Sequence, residues 1–392
     1  MIVVEPSPVD GDQEALQTAA WLRRHGRPAR VGSEFESCEE VWPDVWTSPL
    51  DPRLQNQKLS CLADFLLKTH DVLGITGTAG KTTTAWLLSQ LLPDTGSHRA
   101  RAQNLWPGPS LLDADSTIVA ELTSSHLAFC HHSPRIAAIT NFWPDHLEIH
   151  GSLEAYREAK SNLFRYQKPQ DVSVLPWHDP EAQDLAAPSP AQRAWFSTEQ
   201  EPPPALIRVF PHQSGILVEG PSGRRQLDTR PDPALLCALA MAEASGLPWE
   251  IPDHFEYPPH RAARHGRLID DTLAATPRKA GYHLKPGTHL VAGGLLEIAG
   301  QPVHASPPEQ AALEHWLEAI RKNCTRIDLF GPAGQWLHKQ LAGSHLHHSL
   351  ETAVQAALQT STGPVLVSPG FPMPQEDRLK LVCLSTKPSK RL

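Results

Sequence analysis

The chain has 392 residues, 40% apolar and 20% charged, which is long enough for two to four domains and too apolar for wholesale disorder. Its formal net charge of -8 argues against nucleic acid as the main partner, because neutralising a phosphate backbone needs a basic field; one Gly-rich loop can still hold an anionic nucleotide at short range. There is no apolar run of about 18 residues that would span a membrane, and the opening MIVVEPSPVDGD lacks the basic start of a signal peptide. The six cysteines (Cys38, Cys61, Cys130, Cys237, Cys324, Cys383) form no C-x-x-C pair. A disulfide framework or structural zinc is therefore not expected, and a reduced, cytoplasmic setting is. His131–His132 and His347–His348 read as surface pairs rather than ligands.

Residues 2–4 form an apolar run that predicts a strand. Residues 12–25 predict a helix with Leu16, Ala19, Ala20 and Leu22 near one face and Gly26 as its stop. A second short strand is expected at 29–32, completing a small α/β opening. Residues 36–58 hold several prolines and little periodicity. The pattern then becomes regular: a strand at 72–76, a helix at 81–92, strands at 117–121 and 135–140, and a helix at 152–166. The stretch 176–204, rich in Pro and Ala, is expected to wrap the surface. A helix follows at 234–245, closed by Gly246. From His260 onward, strand candidates at 268–271, 289–292, 327–330 and 365–368 alternate with helical patterns at 308–321, 334–341 and 351–358. That alternation predicts a second doubly wound unit. The fold class is α/β, with parallel sheets covered by helices.

Residues 72–84 read VLGITGTAGKTTT. An apolar strand feeds a Gly-rich turn, and Lys81-Thr82-Thr83 opens a helix. Gly77 and Gly80 let the backbone N–H groups of Gly77, Thr78, Ala79 and Gly80 curl toward phosphate oxygens, and the helix N-terminus adds partial positive charge. Lys81 is placed to reach the terminal phosphates and the Thr82 hydroxyl to bind Mg²⁺. The spacing departs from the standard phosphate loop, with Ile75 where a glycine is usual and Gly74 one step earlier. The plain alternative is an ordinary strand–turn–helix corner.

Three further pieces fit around such a loop. Glu121 ends an apolar strand, where ligands of open parallel sheets bind, and a carboxylate there can hold Mg²⁺ or simply face solvent. Residues 140–146, TNFWPDH, follow another strand end; Asp145 and His146 are candidates to hold a metal, or are surface groups. In SLEAYREAKSNLF the buried stripe is Leu153, Tyr156, Leu163 and Phe164. Lys160 falls on the same face, where a lysine needs a partner unless its stem packs and its ammonium snorkels out.

GITGTAGKTTT, ELTSSHL (121–127), ITNFWPDHLEIHGSLEAYREAKSNLF (139–164) and His260-Arg261, in this order, resemble the Mur ligases. The likeness is strongest to the branch that adds D-glutamate to UDP-N-acetylmuramoyl-L-alanine in peptidoglycan precursor synthesis. It is good from about 70 to 166, recognisable around 260–272 and thin elsewhere. The resemblance implies three domains: a reduced N-terminal substrate-nucleotide domain (1–68), a central ATP-binding domain with a phosphate-loop parallel sheet (69–258) and a C-terminal Rossmann-like domain that docks the amino acid (259–392). It implies ATP and Mg²⁺ as cofactors. The partners would be a UDP-linked muramoyl-peptide substrate and an amino acid, with no nucleic acid and a monomeric enzyme. Gly77, Thr78, Ala79, Gly80, Lys81, Thr82, Thr83, Asn141 and Asp271 would contact the nucleotide. Thr82, Glu121, His146 and Lys160 would hold metal, Lys160 as a carbamate. Lys81, Lys160, His146 and Arg261 would serve catalysis, Arg261 at the γ-phosphate.

The chain also departs from the family. The third-domain motif N-D-S-K-A-T-N reads DDTLAAT (270–276), with Leu273 in place of its lysine, and the segment 293–300, GGLLEIAG, has no lysine either. The asparagines that meet adenine and the first domain's Gly-rich loop are missing. Three readings stay open. In the first, the D-glutamate-adding enzyme uses other cations, such as Arg278 or Lys279. In the second, a family ligase joins a different pair. In the third, a non-catalytic nucleotide-binding paralogue acts as an interaction partner. A phosphate-loop kinase or GTPase is the alternative from another class.

Overall fold

The computed structural model describes the chain except residues 7–11, 37, 45–46, 93–107, 115, 262, 275, 282, 299–300, 303–306, 374–376, 378–380 and 382–392; Cys383 lies outside the described residues. Two compact units result, Met1–Phe255 and Glu256–Leu392.

The first unit opens with β1 (Ile2–Val4), α1 (Gln13–Arg24), β2 (Ala29–Val31) and β3 (Glu40–Trp42), a parallel sheet in the order β2-β1-β3. Helix α1 buries Ala15, Thr18, Ala19, Trp21 and Leu22. Leu16, expected on that face, is 52% exposed: the apolar stripe runs through 15, 18, 19 and 22, and Leu16 sits roughly 100° around the helix from Ala15. Helix α2 (Leu62–Thr69) leads into the large sheet. Ile2, Leu22, Trp42 and Leu66 of this layer share one core with Val72, Ile118, Ala137 and Tyr156.

The large sheet is built from β4 (Val72–Thr76), α3 (Lys81–Leu91), β5 (Ile118–Glu121), α4 (Ser124–Ala128), β6 (Ile136–Ile139), α5 (Leu147–His150), α6 (Leu153–Arg165), β7 (Val172–Pro176), α7 (Pro180–Leu185), β8 (Gln192–Phe196), β9 (Ile207–His212), β10 (Gly215–Gly220), β11 (Gly223–Leu227) and α8 (Pro233–Ser245). The strand order is β11-β10-β9-β8-β7-β6-β4-β5. Strands β4 to β9 pair in parallel, and β10 and β11 add an antiparallel edge. Every residue of β4, β5, β6 and β7 is buried, as expected of parallel strands covered on both faces.

The stretch 176–204 does not wrap the surface. It supplies α7 and β8, and β8 is an interior strand between β7 and β9. Pro180 starts α7 rather than breaking it, because proline suits the first helical turn, and the Asp179 carboxylate caps that turn by accepting from Ala182 N at 2.9 Å. Strand β8 buries fully only Ala194 and Phe196, too brief an alternation to announce a strand. On α6, Tyr156, Ala159, Lys160, Leu163 and Phe164 are buried, whereas Leu153, in the first turn, is 37% exposed and leaves the expected stripe.

The second unit contains β12 (Ala263–His265), β13 (Leu268–Asp270), α9 (Pro277–Gly281), β14 (Thr288–Gly293), a hairpin of β15 (Glu297–Ile298) and β16 (Gln301–Pro302), α10 (Pro307–Asn323), β17 (Cys324–Phe330), α11 (Gly331–Gln340), β18 (His345–His347), α12 (Leu350–Thr360) and β19 (Val365–Gly370). Its sheet runs β12-β13-β19-β14-β17-β18, parallel except for β12. The alternation of strand and helix patterns in the sequence predicts this doubly wound arrangement. Among the described residues no helix is long and apolar enough to cross a membrane.

Candidate active site

Strand β4 lies between β5 and β6; the chain goes on from β4 to β5 on one side and from β6 to β7 on the other, which opens a crevice at the carboxyl ends of β4 and β6. The loop 77–80 fills that crevice. Gly77 has φ 139°, and a Cβ on it would stand 1.9 Å from Thr140 Oγ1; no other residue fits. Gly80 caps α3 with φ 84°, and Thr83 sits half-buried in the helix's first turn.

The end of β6 holds the loop in shape. Thr78 N donates to Asn141 O at 3.2 Å, and Ala79 N donates to Asn141 Oδ1 at 2.9 Å. Asn141 Nδ2 and Thr140 Oγ1 both donate to Ala79 O, at 3.0 and 2.5 Å. The Asn141 side chain therefore acts on the loop itself.

Lys81 and Lys160, singled out from the sequence, bond the loop as Asn141 does, and Thr82 and Glu121 meet each other beside it. Lys81 Nζ donates to Gly77 O at 3.0 Å and lies 3.9 Å from Glu121 Oε1. Thr82 Oγ1 donates to Glu121 Oε2 at 2.7 Å. Lys160 is 1% exposed; its Nζ donates to Gly77 O at 2.9 Å and to Thr76 Oγ1 at 3.4 Å. The same ammonium lies 4.9 Å from the Tyr156 ring centroid, a cation–π contact in a dry setting. Tyr156 Oη is 3.1 Å from Thr78 Oγ1.

His146 takes a left-handed φ of 53° just before α5. Its Nε2 is 3.6 Å from Asp145 Oδ2 and its ring centroid 6.5 Å from that of Tyr156. Among the described residues no three His, Cys, Asp or Glu side chains form a metal cluster. The Thr82–Glu121 pair offers hard oxygen donors, the set that suits Mg²⁺, which takes few protein ligands and completes its shell with water and phosphate oxygens.

Arg261 and Asp271 belong to the second unit. Arg261 N donates to Pro258 O at 3.3 Å, and Asp271 Oδ2 accepts from Ser368 Oγ at 3.0 Å. The neighbouring Asp270 accepts from His260 Nδ1 at 2.8 Å and from Thr272 Oγ1 at 2.8 Å. Leu273 is half-buried and its N donates to His260 O. Lys279 is half-buried, and the Arg278 side chain lies outside the described residues.

Some contacts carry no sequence signal because their partners are far apart in the chain. Ser124 Oγ meets His150 Nε2 at 3.0 Å across 26 positions. Cys61 and Cys130 lie Sγ to Sγ at 3.8 Å across 69 positions, and burial followed by the Cys61 contact pushes the Cys130 thiol up. His126, enclosed beside them, is pushed down by burial to about 3 and stays neutral. In the second unit the enclosed Asp328 accepts from His289 Nε2 and His347 Nε2, each at 2.7 Å, and from Arg326 Nε at 2.9 Å. Half of the His347–His348 pair is thus a structural donor.

A Gly-rich loop between a buried parallel strand and a helix, with lysine, threonine and carboxylate beside it, defines a phosphate-loop α/β protein. Residues 75–209 match the Mur ligase middle domain. The UDP-N-acetylmuramoylalanine–D-glutamate ligase of Symbiobacterium thermophilum is 37% identical over 137 residues, covering 33% of this chain and 30% of that protein. The enzyme of the same name from Roseiflexus sp. strain RS-1 is 30% identical over 328 residues, covering 72% and 70%. The chain belongs to the Mur ligase family. The matched stretch is thus less than a third of the first relative's length and more than two thirds of the second's. The crystal structure of the MurF ligase from Thermotoga maritima in complex with ADP superposes with a TM-score of 0.61 at 15% identity, covering 98% of this chain and 94% of that one, a likeness of fold.

Proposed function

We propose that the chain is an ATP-dependent amide ligase that joins D-glutamate to UDP-N-acetylmuramoyl-L-alanine through an acyl phosphate. The observation that carries this reading is that Lys81 and Lys160 both bond Gly77 O of the loop after β4 while Glu121 meets Lys81 and Thr82 beside it. The names of the curated relatives support the substrate pair.

In this reading the loop's N–H groups and the start of α3 receive the ATP phosphates, and Lys81 meets the charge on the terminal groups. Thr82, Glu121 and His146 would hold Mg²⁺, which when bound neutralises charge on the transferring phosphoryl oxygens. Lys160 would join them as its carbamate, an anionic oxygen ligand. A carboxylate oxygen of the acceptor attacks the γ-phosphorus and ADP leaves. The amino acid's amine then attacks the acyl carbon, loses a proton, and expels phosphate, leaving the amide. Arg261 and Asp271 are assigned to the nucleotide on the family resemblance alone.

A second reading, a family ligase that takes another amino acid, is favoured by Leu273 and by the lysine-free segment 293–300. One experiment separates the two. The protein is incubated with UDP-N-acetylmuramoyl-L-alanine, ATP, Mg²⁺ and a panel of amino acids, and ADP and amide product are measured. Amide with D-glutamate alone supports the first reading. Amide with a different amino acid replaces it with the second. ATP binding without turnover on any member discards both in favour of a non-catalytic partner.

A further inference from the structure

Two arms of the site leave separate strand ends. One leaves β5 at Glu121 and turns into α4 through Thr123, whose hydroxyl caps that helix by accepting from His126 N at 3.3 Å. The other leaves β6, passes Asn141 and Asp145, and enters α5 at His146. Sequence-local forces do not set the spacing of these arms, because α4 and α5 are five and four residues long and such short helices have little stability of their own.

A side-chain contact joins them. His150 Nε2 lies 3.0 Å from Ser124 Oγ, and both residues are buried, at 2% and 3% exposure. Ser124 stands three residues after Glu121. His150 stands one helical turn after His146, and its N donates to His146 O at 3.2 Å. The His150 ring centroid is 5.4 Å from that of Tyr156, whose hydroxyl touches Thr78 of the phosphate loop. A hydroxyl and an imidazole can each donate or accept, so the pair is satisfied in either histidine tautomer. Breaking it leaves a buried polar atom without that partner, which is costly in a dry interior.

We propose that the Ser124–His150 hydrogen bond sets the separation of Glu121 and His146, making both residues positioning elements for the divalent cation. The inference rests on the reading that Glu121 and His146 hold that cation. Groups that orient metal ligands without touching the metal change its affinity by about 10–100-fold when removed.

The test uses the full chain with Mn²⁺ as the probe, titrated in the presence of a non-hydrolysable ATP analogue while free Mn²⁺ is followed by electron paramagnetic resonance. Ser124→Ala and His150→Leu should each weaken Mn²⁺ binding about tenfold and leave metal-free binding of the analogue within about twofold of wild type. His150→Gln, which sets an amide nitrogen near the place of Nε2, should restore most of the Mn²⁺ affinity. A role in packing alone would lower Tm without moving the Mn²⁺ titration, and that result overturns the inference. Ser124→Ala removes a single oxygen atom, so the test stands even where a His150 variant does not fold. Wild-type protein that binds the analogue but no Mn²⁺ overturns the reading of the site together with this inference. Wild-type Mn²⁺ binding matched by Ser124→Ala overturns the inference alone.

Discussion

At the carboxyl edge of the large sheet in the first unit, β4, β5 and β6 run into the phosphate loop, Glu121 and the Thr140–Asn141 clamp. At the same edge of the second unit's sheet, β14, β17 and β19 end in Gly293, Phe330 and Gly370. A Cβ on Gly370 would stand 2.3 Å from the Trp316 ring, so that glycine makes room for a tryptophan rather than a ligand. Inside the second unit's sheet Asp328 gathers His289, Arg326 and His347, and at the end of β13 Asp270 and Asp271 accept from His260, Thr272 and Ser368. Both sheets thus place a glycine at or just after a strand end where a side chain presses in, Thr140 against Gly77 and Trp316 against Gly370. A glycine at a strand end reports close approach, and only the neighbouring side chains tell what approaches.

The largest expected effect tests the structural side of this contrast. Asp328→Ala leaves His289, Arg326 and His347 without the carboxylate they share, and should cost about 3–5 kcal/mol of stability, read by chemical denaturation. ATP affinity should stay unchanged; a parallel fall in affinity would break the contrast. Lys160→Ala removes the buried amine bonded to Gly77 O and should lower turnover by about 10²–10³-fold. Full activity would reduce Lys160 to a packed side chain. Lys81→Ala should weaken ATP binding by about 10–100-fold, as expected for a lost charged hydrogen bond; calorimetric titration with unchanged affinity would contradict the loop assignment.

Acid titration gives the smallest and most graded difference. His126 is held near 3, below its ordinary 6.5, by burial. Its unfolded form takes up protons first, so the stability it contributes is full above about pH 6.5 and declines as pH falls toward 3. Burial alone would raise Asp328, but hydrogen bonds from His289, Arg326 and His347 outweigh burial and hold it below its ordinary 3.8. Its contribution is therefore lost only as pH drops below about 3.8. Hydrogen exchange followed separately in the two units should show the first weakening at higher pH. A His126→Gln variant should flatten that early loss, and an unchanged profile would exclude His126 as its source.

Much of this was legible from residue order. The phosphate loop, the Glu121 strand end and the α6 face that buries Lys160 all arise within segments whose apolar periodicity names them. Strands β8 and β11 were not legible, because they bury only Ala194, Phe196 and Leu227; the apolar runs of β9 and β10, Ile207 to Phe210 and Ile216 to Val218, did carry a strand signal. The side chain of Asn141 gave no sign that it clamps the loop. The Ser124–His150 and Cys61–Cys130 contacts come from folding alone. Leu16 and Leu153 were misplaced by counting periodicity without knowing where each helix meets its neighbours.

Ser48 Oγ donates to Ile149 O at 2.6 Å, and a Cβ on Gly151 would collide with Leu50 at 2.5 Å. The opening layer thereby grips the turn that presents His146, and its apolar core continues into that of the large sheet. Exchanging that layer for a homologous module would disturb the turn at His146 as well. Grafts of that layer should carry residues 47–51 and 147–151 together.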